Sequence, residues 1–308
     1  MSVCAGCGKP IMGTVTTAVN RPWHSTCFRC AGGGEPLAGR WYYEHDGRLY
    51  CERHYLECYG RRCAIGGEFI RGRSRTNGWG ESYCLDHERG LSECYSCDRP
   101  VCKRLTGGGI PYRDGRTVCN RCRKTAIDDA ATGQLVLQHV AAVLKEETCF
   151  DFSSVTIPLV LVDQESLRGR NPTDQARNVC GEMCPAWVNN DGNYTGWRIA
   201  AIRVLHGLPR EHFAAICAHE LGHVFLFLRG CSELPTVLAE GLCELFEYTW
   251  LMHEYTTEAK YRLMLSWKNR NPVYGTGFRA CYRALYGRTL PELLFYVKNE
   301  GRLPVVGV

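Results

Sequence analysis

Apolar and polar positions along the chain change character near residue 125. Before it, short apolar pairs are broken by turn residues, as in the aromatic, Gly-containing stretch "RWYYEHDGRLYCERH" ending at His54. After it, longer patterns set in. "TAIDDAATGQLVLQHVAAVLKEE" from Thr125 carries a helical period, with Thr125 or Asp128 as its expected cap. "VTIPLVLVD" at 155–163 and "GWRIAAIRVLHG" at 196–207 read as strands. The polar residues 165–196 between them, rich in Gly, Asn and Pro, read as a loop or short hairpin, in which Cys180 and Cys184 are loop thiols or, as the alternative, metal ligands. "LPREHFAAICAHELGHVFLFLRG" reads as one buried helix, with Pro209 in its first turn and Gly230 just past its end. A second helix starts in "LPTVLAEGLCELFEYTWL".

The 308 residues and a 45% hydrophobic content allow a packed core of good size. No run of 18 apolar residues occurs, and "MSVCAGCGKP" has no apolar signal core, so a cytoplasmic protein without a membrane span is expected. Thirteen of the 20 cysteines lie in residues 1–125. Dense, regularly spaced cysteine in a reducing compartment points to zinc and away from disulfides. Residues 1–125 carry a formal +8 and residues 126–308 a formal −3. Zinc thiolates would offset part of that positive charge. No helix is built like a finger for a DNA groove, so nucleic acid is not the expected partner.

Cysteine spacing divides the first half. Cys4, Cys7, His24 and Cys27 fit a tetrahedral structural zinc. Cys30, Cys51 and His54 would form a second site. That site is short of one ligand, because Gly33 stands where a partner cysteine would fall. Water or a neighbour such as Cys58 completes it, or it stays empty. A second module holds Cys63, Cys84 and His87, with Gly66 in the equivalent gap, followed by the complete set Cys94, Cys97, Cys119 and Cys122. Cys102 has no obvious partner. Modules of this kind have too little core to fold without metal and serve mainly to bind other proteins.

In the second half, His219 and His223 are four apart and share one helix face, so two imidazoles can meet one metal. Glu220 lies about 100° round the helix, beside the metal and not on it, where a base would take a proton from water. Glu240 follows His223 by 17 residues in an "AEG" setting and is the expected third ligand, with Glu244 one turn on as a hydrogen-bond partner for a ligating histidine. Their helix is otherwise strongly apolar, and buried carboxylates need partners.

Residues 4–54 resemble a LIM domain in "WHSTCFRC" and "GRLYCERH". The whole chain resembles the plant-type LIM-domain zinc metallopeptidases that restrict organ size and are activated by ubiquitin. That likeness rests on "LHGLPREHFAAICAHELGH", "AEGLCE", "NPVYGTGFRACYRALYG" and "EGRLPV". The resemblance implies an α+β protein with a LIM domain (1–57), a LIM-like zinc module (58–125) and a gluzincin-like, mainly helical peptidase domain with a small sheet (126–308). It implies one catalytic zinc on His219, His223 and Glu240, two to four structural zincs, and Glu220 as general base. Tyr274 would be an oxyanion donor and Arg279 a weaker one, or their tract is a tight Gly turn into a helix. Regulatory proteins would be the substrates, with ubiquitin or ubiquitin ligases as partners. No counterpart of the family's ubiquitin-interacting helices precedes Cys4, so a minimal version is expected. The rival reading is a LIM-type adaptor on an inactive peptidase scaffold.

Overall fold

The computed structural model describes residues 2–168, 180–190, 193–231 and 233–305. Two compact units divide between Gly90 and Leu91.

The first unit is a chain of small hairpins. β1 (Val15–Ala18) pairs with β2 (Arg21–His24), and β3 (Tyr42–His45) with β4 (Arg48–Cys51), which leads into α1 (Glu52–Tyr59). β5 (Ser74–Thr76) and β6 (Ser82–Cys84) repeat the theme before the single turn α2 (Leu85–Glu88). A small core of Trp23, Phe28, Leu37, Leu49 and Tyr50 fills the space between the first hairpins.

The second unit opens with one more such hairpin. After α3 (Lys103–Thr106), β7 (Gly109–Pro111) pairs with β8 (Thr117–Cys119), followed by α4 (Asn120–Arg123). Cys102 caps α3, its Sγ accepting the Leu105 N–H at 3.3 Å. The hairpin is joined to the helical part by polar contacts. Tyr261 donates to Asp98 at 2.6 Å, Ser96 Oγ meets His212 Nδ1 at 2.8 Å, and Arg116 donates to the His206 carbonyl at 3.0 Å.

β9 (Ala126–Ile127) then starts α5 (Ala130–Thr148), which is capped by Asp129 and not by the Thr125 or Asp128 expected from sequence. Residues 126–127 are drawn into a strand that pairs with 208–209, and Asp128 bonds Arg123 at 2.6 Å, so the helix begins one residue later. β10 (Leu159–Val162) precedes α6 (Gln164–Arg168). β11 (Gly181–Asn190) and β12 (Asn193–Leu205) form a long antiparallel pair, and β10 joins the other side of β12 in parallel. The expectation of loop or short hairpin for 165–196 is corrected there: 181–190 is a ten-residue strand with bulges at Cys184/Pro185 and Val188/Asn189. Its outer position tolerates Pro185 and the polar residues that hid it. Residues 169–179 of that stretch lie outside the described residues.

β13 (Leu208–Pro209) leads directly into α7 (Arg210–Leu228). α8 (Thr236–Glu254), α9 (Thr257–Lys268), α10 (Tyr274–Ala284) and α11 (Leu290–Glu300) follow. α7 is apolar on every face and runs through the core, with Phe213, Leu221 and Val224 fully covered. A Cβ on Gly222 would sit 2.9 Å from the Cys243 Cα, so glycine there lets α7 and α8 approach closely. Gly241 of α8 meets Gly277 of α10 in the same way. The result is hairpin modules followed by a mostly helical domain with small sheets. Among the described residues, no helix is long and apolar enough to cross a membrane.

Candidate metal centres

The two core helices bring the expected residues of the second half together. His219 Nε2 lies 3.2 Å from Glu240 Oε2, and His223 Nε2 lies 3.5 Å from the same oxygen. Ligands held about 2.0–2.1 Å from a tetrahedral zinc are about 3.3 Å apart, so these three donors already stand at ligand spacing. Two imidazole nitrogens and one carboxylate are also the donor types borderline zinc prefers. On the far side of the His219 ring, Nδ1 faces Glu244 Oε1 at 3.8 Å, where sequence placed an orienting carboxylate.

Electrostatics in the pair are strong. Burial opposes a charge on His219, but the Glu240 carboxylate prevails and pushes its pKa to about 10. Burial likewise depresses His223, yet the Cys243 thiol and Glu240 raise it to about 12. Burial would raise Glu240, and the two histidines bring it down to about 2. An imidazole ligates a metal through an unprotonated nitrogen, so a cation entering here would displace the protons that Glu240 holds on the two rings.

Glu220, on the adjoining face of α7, is buried at 5% exposure and interacts electrostatically with all three residues. Burial raises its pKa, offset by His223 and His219 and by a bond from the Met183 backbone. Gly181 at the start of β11 makes this contact possible. A Cβ there would meet Ile216 Cγ2 at 2.5 Å and Glu220 Oε1 at 2.8 Å. Tyr274, the first residue of α10, has its ring 6.3 Å from that of His219 and tilted by 41° to it, and burial followed by the nearby carboxylates raises its hydroxyl to about 12. Arg279 is engaged elsewhere: its guanidinium donates to the Asn269 carbonyl at 2.6 Å and closes the end of α9.

One member of the site escaped sequence reasoning. Cys243 is fully buried, and its sulfur shares a donor cluster with His219 and His223. The signal was present, since residues 240, 243 and 244 lie on one face of α8. Glu247, another turn along, is raised to about 8, first by burial and then by Glu244.

The hairpin modules form four further clusters. Cys4, Cys7, His24 and Cys27 converge, with His24 Nδ1 3.4 Å from Cys7 Sγ and 3.7 Å from Cys27 Sγ. Cys94, Cys97, Cys119 and Cys122 converge in full burial. Their sulfurs lie 3.8 Å (Cys94–Cys122) and 3.7 Å (Cys97–Cys119) apart, against about 3.8 Å for thiolates around one zinc. Cys63, Cys84 and His87 form a three-residue set, and Cys30, Cys51 and His54 are joined by Glu35. Cys58, the stand-in suggested by sequence, is exposed on α1 and belongs to none of these four clusters.

A repeated device prepares the leading thiol of each cluster. The backbone N–H of His24, Cys51, Cys84 and Cys119 donates to the sulfur of Cys4, Cys30, Cys63 and Cys94 at 3.3, 3.2, 3.4 and 3.2 Å. Burial works against ionising Cys4 and Cys63, but these donors draw both thiols down to about 6. Thiolates are the metal-binding form.

Two protein families match different parts of the chain. The LIM domain family profile covers residues 4–59, and the DA1-like profile, described as Protein DA1, covers 175–268, including both helices of the His219–Glu240 site. The chain is 25% identical to Protein DA1 of Arabidopsis thaliana over 98% of its own length and 68% of that protein. It is 24% identical to the LIM domain-containing protein HDR3 of Oryza sativa subsp. japonica over 98% of its length and 74% of that protein. It is 30% identical to LIM domain-containing protein B of Dictyostelium discoideum over 40% of the chain and 20% of that protein. The chain carries a LIM domain followed by a DA1-like domain, with homologues of that kind over most of its length.

Proposed function

We propose that this LIM and DA1-like chain is a zinc-dependent endopeptidase of regulatory proteins, with its LIM modules binding substrates or partners. One observation carries the reading. His219, His223 and Glu240 stand at zinc-ligand spacing, with a buried, unliganded carboxylate, Glu220, on the adjoining face of α7. A zinc ion held there would supply a Lewis acid that polarises a carbonyl and acidifies water.

The chain's own residues do the rest. Glu220, its carboxyl raised by burial, accepts a proton from the attacking water and returns it to the departing amine. Glu244 holds the His219 ring from behind. Tyr274, whose ring lies 6.3 Å from that of His219, would donate its hydroxyl to the oxyanion as it forms. β11 occupies the outer position in its sheet beside Glu220, so an extended substrate can add to it as a further strand. All 20 cysteines are free thiols, which suits a reducing, cytoplasmic setting. Control through ubiquitin or ubiquitin ligases belongs to the same reading.

The test is zinc content by elemental mass spectrometry, wild type against His223→Ala. A loss of one zinc in the variant supports a separate catalytic ion. An equal count in both removes the metal from α7 and favours the adaptor.

A further inference from the structure

Both sites that lack a cysteine carry the same local string. Cys30-Ala31-Gly32-Gly33-Gly34-Glu35 recurs as Cys63-Ala64-Ile65-Gly66-Gly67-Glu68. In each, a glycine stands in the ligand position and a glutamate follows two residues later. We propose that Glu35 is the fourth ligand of a zinc site with Cys30, Cys51 and His54, its carboxylate replacing the thiolate that Gly33 cannot supply.

The donors converge on one point. His54 Nδ1 lies 3.2 Å from Cys30 Sγ, 3.4 Å from Cys51 Sγ and 3.1 Å from Glu35 Oε1. Cys51 Sγ lies 2.8 Å from that same carboxylate oxygen. The same imidazole nitrogen therefore faces all three other donors, as it must if the four surround one ion. Glu35 also occupies the volume a residue-33 side chain would need. A Cβ on Gly33 would collide with the Glu35 carboxylate and the His54 ring. Glycine and glutamate thus go together: the first vacates the space and the second fills it.

The second copy repeats the steric half of this device. A Cβ on Gly66 would collide with the Glu68 carboxylate. There the carboxylate lies 3.0 Å from His87 Nε2, on the ring edge opposite the Nδ1 that meets Cys63 at 3.3 Å. The four-donor convergence belongs to the first copy.

A carboxylate for a thiolate keeps the formal charge of the site and makes it harder. Zinc held by Glu35 should exchange faster than zinc buried among Cys94, Cys97, Cys119 and Cys122. The experiment counts zinc in the full-length chain, then follows its release to a chromophoric chelator, for wild type, Glu35→Asp, Glu35→Gln and Cys30→Ser. Glu35→Gln should give up the same single zinc as Cys30→Ser, about 10-fold or more faster than wild type. The zinc of the Cys4 cluster should stay in place. Glu35→Asp, which keeps the carboxylate, should fall between wild type and Gln. Equal retention in wild type, Asp and Gln while Cys30→Ser loses one zinc overturns the assignment of Glu35. No loss in Cys30→Ser overturns the site itself.

Discussion

Arg262 of α9 holds the Cys94 hairpin to the helical core, and removing it should loosen the whole second unit. Its side chain is 7% exposed. One terminal nitrogen donates to the Ser96 carbonyl, to Ser96 Oγ at 2.8 Å and to Glu258 Oε1 at 2.8 Å, and Nε reaches the same carboxylate at 3.0 Å. Arg262→Ala strands a buried carbonyl and leaves the Glu258 carboxylate without its partner. Breaking one side of a buried pair costs about 3–5 kcal/mol, and a cost of that size lowers the melting temperature of a unit this large by about 10 °C. Arg262→Lys keeps the charge but loses the fork, and should fall in between. The assay is thermal unfolding of the full chain followed by circular dichroism, with zinc release recorded in parallel, because the loosened hairpin should also yield its metal earlier. A melting temperature within about 1 °C of wild type, with unchanged zinc release, would refute the view that this hairpin and the helices form one cooperative unit.

Other consequences follow from the same contacts. Burial holds His212 well below its ordinary pKa, so the unfolded chain takes up a proton below about pH 6.5 that the folded chain refuses. Stability should therefore fall as pH drops below about 6.5, by at most about 1.4 kcal/mol per pH unit, and His212→Gln should flatten that dependence in melts taken from pH 7 to 5. Gly181→Val would push into Glu220 and Ile216. It should abolish peptide cleavage while costing about 1–3 kcal/mol of stability, and full activity in that variant would contradict the packing of β11 on α7. Tyr274→Phe should retain zinc and lower kcat about 100-fold or more, with KM little changed, if its hydroxyl serves the oxyanion.

Sequence periodicity found the two core helices well, because α7 and α8 are long, apolar and bounded by Pro and Gly. Four-residue spacing puts His219 and His223 on a common face before any tertiary contact is known, whereas Glu240, on the next helix, is singled out by its "AEG" setting and the family resemblance. What periodicity missed depended on neighbours distant in sequence. β11 is broken by Pro185 and flanked by Gly and Asn, so it does not read as a strand, and it is held by its pairing with β12. Cys243 looked like one more apolar helix residue until Gly222 brought α7 against it. Glu35 does not stand out in sequence, because the spacing calls for a cysteine at 33, while the carboxylate reaches that space from two residues further on. Cysteine spacing groups 58–125 as one zinc module, and compactness divides the chain at Gly90, between its Cys63 and Cys94 clusters. The side chains of the helices that receive it, Arg262, His212 and Tyr261, with the bond from Arg116 to the His206 carbonyl, reveal that the Cys94 hairpin packs with the second unit.

The most direct test of the central claim is cleavage of a denatured whole-cell protein extract, read as new peptide termini by mass spectrometry, with wild type and Glu220→Gln loaded to equal zinc content. The account predicts new termini with wild type that vanish on chelation, and none with the Gln variant although its zinc is intact. The same termini from both proteins, or none from wild type with the α7 site filled, would contradict it.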